Sequence, residues 1–398
     1  MSFGMPFPFI STIACLCLLM IHKALACPSN QQLFPSSSPL SSVFLPFLSP
    51  VNLNSPPFLR VTIFNTPILF PVDTGSTGIL LGHPKLPFLD TTGYPPAHSY
   101  LSSSNFLYTG SLVPLTLTFN GSNDYPRTVT STVPVLIVDA KTHCPWYNPL
   151  TDAGTCPPNP SNHSDTGTAL PTAGISYMGV GFGRNTGDGE QPHGIPALNP
   201  FLNIDSIDDV PVDLKSWHAG YIINTTGVTL GLTPNNTEDF AWAKLKPGIT
   251  HAEDSRDWAM PSMCVRVNDE PEDCGAALVD TGIAQMYLRR AVGRVTPNHT
   301  LSQPTKRRVD DGVRIAVGFL SSEGAGEEKE VVAGYEFVAG EGSKMEPVYV
   351  VPETQKEGKA RAPFVNTGRA FLFGYEVAFD AEAGRFGLRE VVGGGDLV

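Results

Sequence analysis

Ile68-Leu-Phe-Pro-Val-Asp73-Thr-Gly-Ser-Thr77 and, 207 residues further on, Ala277-Leu-Val-Asp280-Thr-Gly-Ile-Ala284 follow one pattern, an apolar run that ends on Asp-Thr-Gly. Such a run reads as a strand that delivers a carboxylate to a tight turn, where glycine lets the backbone come close to a neighbour. The threonine hydroxyl is placed to hydrogen-bond across to the other loop. A single Asp-Thr-Gly occurs in many ordinary turns. Two copies, each behind an apolar strand and one in each half of the chain, single out Asp73 and Asp280. Thr74, Gly75 and Ser76 on one side, and Thr281 and Gly282 on the other, form the loops that support them.

The rest of the chain suits such strands. At 398 residues it exceeds the ~250–300 at which one core tends to divide, so two lobes are expected. Its 38 glycines and 37 prolines disfavour a helical bundle, because both residues interrupt helices, and they suit short strands joined by tight turns. β-type runs occupy 59–64, 68–72, 112–119, 133–138, 221–223, 228–232, 263–267, 277–279, 313–319 and 348–351. A closing hairpin covers 376–380 and 385–388, and helical patterning is confined to a short stretch near Pro200. The expected fold class is all-β, divided into a segment 1–26, a Ser/Pro-rich lead-in 27–57, a first lobe 58–235 and a second lobe 236–398. A net charge of −12 leaves no basic surface for phosphate, which excludes a nucleic-acid partner.

The N-terminus reads as an address. Residues 9–21 are an apolar run too short to span a bilayer comfortably, and Ala24-Leu-Ala26 is a small-x-small cleavage pattern. Residues 1–26 are therefore expected to be a signal peptide, with an uncleaved anchor as the alternative. Removal of Cys15 and Cys17 leaves Cys27, Cys144, Cys156, Cys264 and Cys274. Two short-range pairs, Cys144–Cys156 and Cys264–Cys274, would each close a loop of about a dozen residues, worth roughly 2–4 kcal/mol apiece. Cys27 is left over. Neither spacing is the Cys-x-x-Cys of a zinc site and the nine histidines are scattered, so no metal is expected. Sequons at Asn120, Asn162, Asn224, Asn235 and Asn298 fit a secreted glycoprotein with no membrane contact after cleavage.

With these residues in hand, the chain resembles the pepsin-like aspartic proteases. In that family each lobe also carries an apolar-apolar-Gly segment beside its Asp. Tyr177-Met-Gly-Val-Gly-Phe-Gly183 matches in the first half and Ala370-Phe-Leu-Phe-Gly374 in the second. Residues 375–388 resemble the family's C-terminal strand-turn-strand, and Cys264 and Cys274 have family counterparts. The matches span roughly residues 58–390. The resemblance implies a two-lobed all-β fold with a cleft, and a monomeric endopeptidase that acts on polypeptide substrates at acidic pH. Asp73 and Asp280 would share one proton and activate a water, with no cofactor. Tyr108, in Tyr108-Thr-Gly-Ser111 with Tyr100 behind it, is the candidate for the family's flap tyrosine, packing in the core being the other reading.

Two departures from the family stand out. Ile283 occupies the place of a Ser or Thr whose hydroxyl bonds the outer oxygen of its Asp. Residues 27–57 contain no Lys or Arg, so inhibition by a basic pro-segment is not expected. The alternative function is a catalytically idle pepsin-like chain that serves as a binding or inhibitor module. Arg289-Arg290 and Lys306-Arg-Arg308 read as solvated basic turns. Gly179–Gly183 lacks Gly-x-Gly-x-x-Gly spacing, and no Gly-x-Ser-x-Gly, His-Glu-x-x-His or P-loop is present, which excludes the corresponding hydrolase, zinc-protease and nucleotide chemistries.

Overall fold

The apolar run before Asp73 forms the strand Thr66–Asp73, with Ile68, Phe70 and Val72 buried, as alternate side chains of a strand facing a core must be. In the computed structural model, residues 41–391 are described except 123, 188–190, 301–306, 322–329, 354 and 356–359. The expected signal peptide, Cys27 and the start of the lead-in lie outside the described residues. The protein is all-β. Among the described residues, helix is limited to 3₁₀ turns at His83–Lys85, Pro196–Leu198 and Arg369–Phe373.

Thr66–Asp73 runs antiparallel to Phe58–Ile63 and parallel to Ser176–Val180. Around it, strands Thr128–His143, Thr77–Gly82, Ser176–Val180, Thr66–Asp73, Phe58–Ile63 and Phe106–Asn120 lie side by side in that order. The second half repeats the order with Val350–Glu353, Met286–Arg289, Phe364–Asn366, Asp273–Leu278, Ser262–Val267 and Arg314–Leu320. Pair directions agree at each step: parallel, antiparallel, parallel, antiparallel and antiparallel. Register agrees as well. Leu80, seven residues past Asp73, faces Tyr177, and Tyr287, seven past Asp280, faces Asn366.

A six-stranded sheet joins the halves. Val43–Pro46, Gly227–Leu230 and Gly220–Ile223 pair onward to Tyr375–Asp380, Arg385–Glu390 and Ala241–Lys244. The end of the expected lead-in thus belongs to the fold, because Val43 and Leu45 alternate into the core while the backbone pairs with Gly227–Leu230. Above this sheet the Phe182 and Phe379 rings stack at 3.9 Å between centroids. The first-half sheet also carries a hairpin longer than its apolar runs suggest, 15 and 16 residues in its two strands. Pro114 and Pro134 face each other in it. Both lie outside the steps at which their strands pair with further neighbours, so the missing N–H groups are not needed there.

Both expected disulfides form. Cys144–Cys156 ties the loop after the long hairpin, and Cys264–Cys274 joins residues directly opposite each other on adjacent strands. Such bonds are typical of extracellular proteins, and no helix among the described residues is long and apolar enough to cross a membrane. Asn120, Asn162 and Asn235 are exposed. Asn224 and Asn298 are half-buried, with their amides bonded to Glu376 and to the Thr296 carbonyl. The reading of Arg289-Arg290 as a solvated turn is corrected. Arg290 is buried and bonds Asp273 and Glu270, each at 2.7 Å, as a buried cation requires.

Candidate active site

Each Asp-Thr-Gly leaves its sheet at the same step of the repeat, and the two turns meet. Thr74 N donates to Thr281 Oγ1 at 3.1 Å and Thr281 N to Thr74 Oγ1 at 3.0 Å. The two hydroxyls donate in turn to the carbonyls of Val279 and Val72, at 2.5 and 2.6 Å. This lattice of four bonds, all buried, brings the carboxyls of Asp73 and Asp280 within hydrogen-bonding reach of each other. The glycines let them approach. A Cβ on Gly75 would stand 2.3 Å from Asp280 Oδ2, and one on Gly282 would stand 2.4 Å from Asp73 Oδ1.

The two carboxyls have unequal surroundings. Asp73 accepts from Gly75 N at 2.7 Å, Ser76 Oγ at 2.6 Å and Tyr177 OH at 2.6 Å. Asp280 accepts from Gly282 N at 2.8 Å and Asn366 Nδ2 at 2.7 Å. Burial, and then the neighbouring Asp73, push the Asp280 carboxyl well above the usual carboxylate range, against the pull of Asn366 and Gly282. Burial followed by the two carboxylates pushes the Tyr177 hydroxyl well above its ordinary value, so it acts as a donor.

The carboxyls lie on the floor of a cavity of about 330 Å³ between the two repeats, in the size range of ligand sites. Leu101, Ser102 and Ser103, from the hairpin of Pro96–Leu101 and Phe106–Asn120, line it together with Ile283, Tyr287 and Phe364 of the second half. Tyr108 sits on this hairpin away from its tip. Its side chain packs with Leu80, Ala97, Leu136, Val138 and Ile175, where burial pushes the hydroxyl up to about 12. Tyr100 is likewise buried, its hydroxyl bonded to Asn105 and the Cys144 carbonyl. The tip residues, rather than either tyrosine, line the cavity that holds the carboxyls.

One expectation is corrected in the second half. The strand beside Asp280 is Phe364–Asn366, followed by Gly368 at φ 65°, and not residues 370–374. The latter form a 3₁₀ turn whose Phe371 and Leu372 fill the core. Their apolar-apolar-Gly pattern comes from core packing, whereas the true segment ends on the polar pair Asn366-Thr367. Three residues of the site were therefore not picked out by sequence: Tyr177 in its role as donor, Asn366, and Arg369. The buried Arg369 donates to the carbonyls of Ile283 and Gly282, at 3.1 and 3.0 Å, and so braces the Asp280 turn.

Among the described residues, one trio of possible metal ligands comes together, Cys264, Glu272 and Cys274, and its two sulfurs are consumed by their disulfide. The groups that meet the two acids are hydroxyls, a side-chain amide and backbone N–H groups, an arrangement with room for a water between the acids and for a proton on one of them. No protein-family model matches the chain, and no curated protein matches its sequence.

Proposed function

We propose that the chain is a secreted aspartic endopeptidase of the two-lobed, pepsin-like type, with the two repeats as its lobes and the cavity as its cleft. The observation that carries this reading is the pair of buried carboxyls in mutual contact on the floor of that cavity. Two carboxyls so close cannot both ionise cheaply, so they share a proton. Asp73 accepts from three donors and Asp280 from two, so the charge is better held on Asp73 and the proton on Asp280.

In this mechanism a water lies between the pair. Asp73 takes a proton from it as the oxygen attacks the scissile carbonyl, and Asp280 gives its proton to the carbonyl oxygen. The resulting gem-diol collapses as the leaving nitrogen takes a proton from the carboxyl of Asp73 and the diol returns one to Asp280. The C–N bond breaks, and the pair again holds one proton. The pair titrates as a unit. Activity is lost as pH rises through its upper apparent pKa, where the shared proton leaves, so the enzyme works in acid. The substrate in this reading is an extended polypeptide, taken by a single protomer into the cavity that Leu101, Ser102 and Ser103 help to line.

Proteolysis of a mixed peptide library at pH between about 3 and 6 tests the reading against Asp73→Asn and Asp280→Asn. Cleavage by the wild type that either change abolishes is the expected result. A folded wild type that cuts nothing across that range points instead to a binding module.

A further inference from the structure

Asn366 supplies to Asp280 what the side chain at 283 lacks. In the first loop the residue three past the aspartate, Ser76, donates to Asp73 Oδ2. Its counterpart three past Asp280 is Ile283, which has nothing to donate. Asp280 Oδ2 accepts instead from Asn366 Nδ2, at 2.7 Å. The orientation of that amide is decided by its other end, where Asn366 Oδ1 accepts from Gly368 N at 3.1 Å and so leaves the NH₂ for the carboxylate. Asn366 is 7% exposed and lies between Leu278 and Tyr287 in the sheet, so its side chain has no alternative place to go.

The same place in the first sheet is held by Tyr177. Counting along the strands, Tyr177 lies beside the residue two before Asp73, and Asn366 beside Leu278, two before Asp280. Both donate to the Oδ2 of their own aspartate. On Asp73 this donor is a second hydroxyl beside Ser76; on Asp280 it is the one side-chain donor among the described residues.

We infer that Asn366 is a positioning residue that holds the outer oxygen of Asp280 in place of a hydroxyl at 283, and so governs when the pair gains and loses its proton, with Tyr177 as its counterpart at Asp73. Facing Asp280 are Asp73 and Tyr177 from the first sheet, Arg369 from the turn after Asn366, and Tyr287, Glu353, Arg361 and Arg184 around the cavity. All of these side chains are retained when a donor is moved from 366 to 283, so the exchange alters the donor and none of the charged groups.

The inference rests on the dyad reading, and its test has a readout that does not need catalysis. The full chain, labelled with ¹³C at aspartate carboxyls, is titrated by NMR as wild type, Asn366→Leu, Ile283→Ser and the double variant, beside kcat and KM where cleavage occurs. A hydrogen bond to a charged group is worth enough to move a carboxyl by about one to two pH units. Asn366→Leu is expected to raise the upper apparent pKa of the pair by that amount and to lower kcat with KM nearly unchanged. Adding Ile283→Ser is expected to bring both back towards wild type. A folded Asn366→Leu with an unchanged titration, or a double variant that recovers nothing, overturns the inference. Should Asn366→Leu fail to fold, Ile283→Ser alone decides: a second donor on Asp280 lowers the upper pKa, and no movement overturns it. If the titrations shift as expected while wild type cuts no peptide, the endopeptidase reading falls and the role of Asn366 stands.

Discussion

Thr74 and Thr281 hold each other by two reciprocal backbone-to-hydroxyl bonds, and each hydroxyl in turn donates to a carbonyl of the opposite strand. Every polar atom in that lattice is satisfied only while both hydroxyls are present. Thr281→Val keeps the shape but strands the Thr74 N–H and the Val72 carbonyl in a buried place. With each stranded group costing about 1–3 kcal/mol, the expected loss is roughly 2–6 kcal/mol, read from urea unfolding. A loss typical of a surface change would show that the lattice does not join the halves.

Gly75 and Gly282 are packed under the opposite carboxylate, so a methyl group at either site must displace an aspartate. Displacements of this size cost catalysis far more than they cost the fold. Gly75→Ala is expected to lower kcat/KM by about 100-fold or more, since misplacement of about an ångström has that consequence. Near-wild-type turnover by a folded Gly75→Ala protein would refute the contact between Gly75 and Asp280.

The raised pKa of Asp280 makes stability depend on pH. Its folded value lies above the unfolded value of about 3.9, so the folded state binds more protons between the two. The contribution is fully present below about 3.9 and is lost as pH rises through the folded value. Asp280→Asn removes this dependence. The melting temperature of the variant relative to wild type is expected to rise between about pH 3 and pH 7, and a constant offset in scanning calorimetry would contradict it.

Asp380 behaves in the opposite sense. It bonds His218 Nε2 at 2.7 Å, Arg385 and the Ala383 N–H, and links the first-half His218 to the second-half hairpin. Burial alone would raise its carboxyl, yet these donors hold it below the ordinary value. Its stabilisation is present above about 3.9 and is lost as pH falls through the lowered folded value. Asp380→Asn leaves Arg385 without its anion and is expected to cost roughly 3–5 kcal/mol near pH 6. Chemical unfolding at about pH 6 and pH 2 checks this, since the difference should shrink in acid.

Much of this architecture was open to reading along the chain. Apolar strands ending on Asp-Thr-Gly marked Asp73 and Asp280, the run at 177–183 marked the strand beside Asp73, and the final hairpin fell at Tyr375–Asp380 and Arg385–Glu390. Cysteine spacing marked both disulfides. The second strand beside an aspartate did not show itself. Phe364–Asn366 has three residues and runs into the polar pair Asn366-Thr367, while a stronger apolar signal follows it in the core turn. The halves also differ in loop length, so the offset between Asp73 and Asp280 does not carry Tyr177 onto Asn366. A signal was present in Gly368, which stands two residues after Asn366 as Gly179 stands two after Tyr177.

What sequence determined by itself is the chemistry that lies in consecutive residues: a β-strand is recognised by its own apolar pattern, and an acid in a glycine turn by its immediate neighbours. What the tertiary structure alone decided is which distant groups attend each acid. Tyr177 reaches Asp73 across 104 residues and Asn366 reaches Asp280 across 86. Such contacts follow from strand register, and register is set by how whole sheets pair and bury their faces, a property that no local stretch of chain contains.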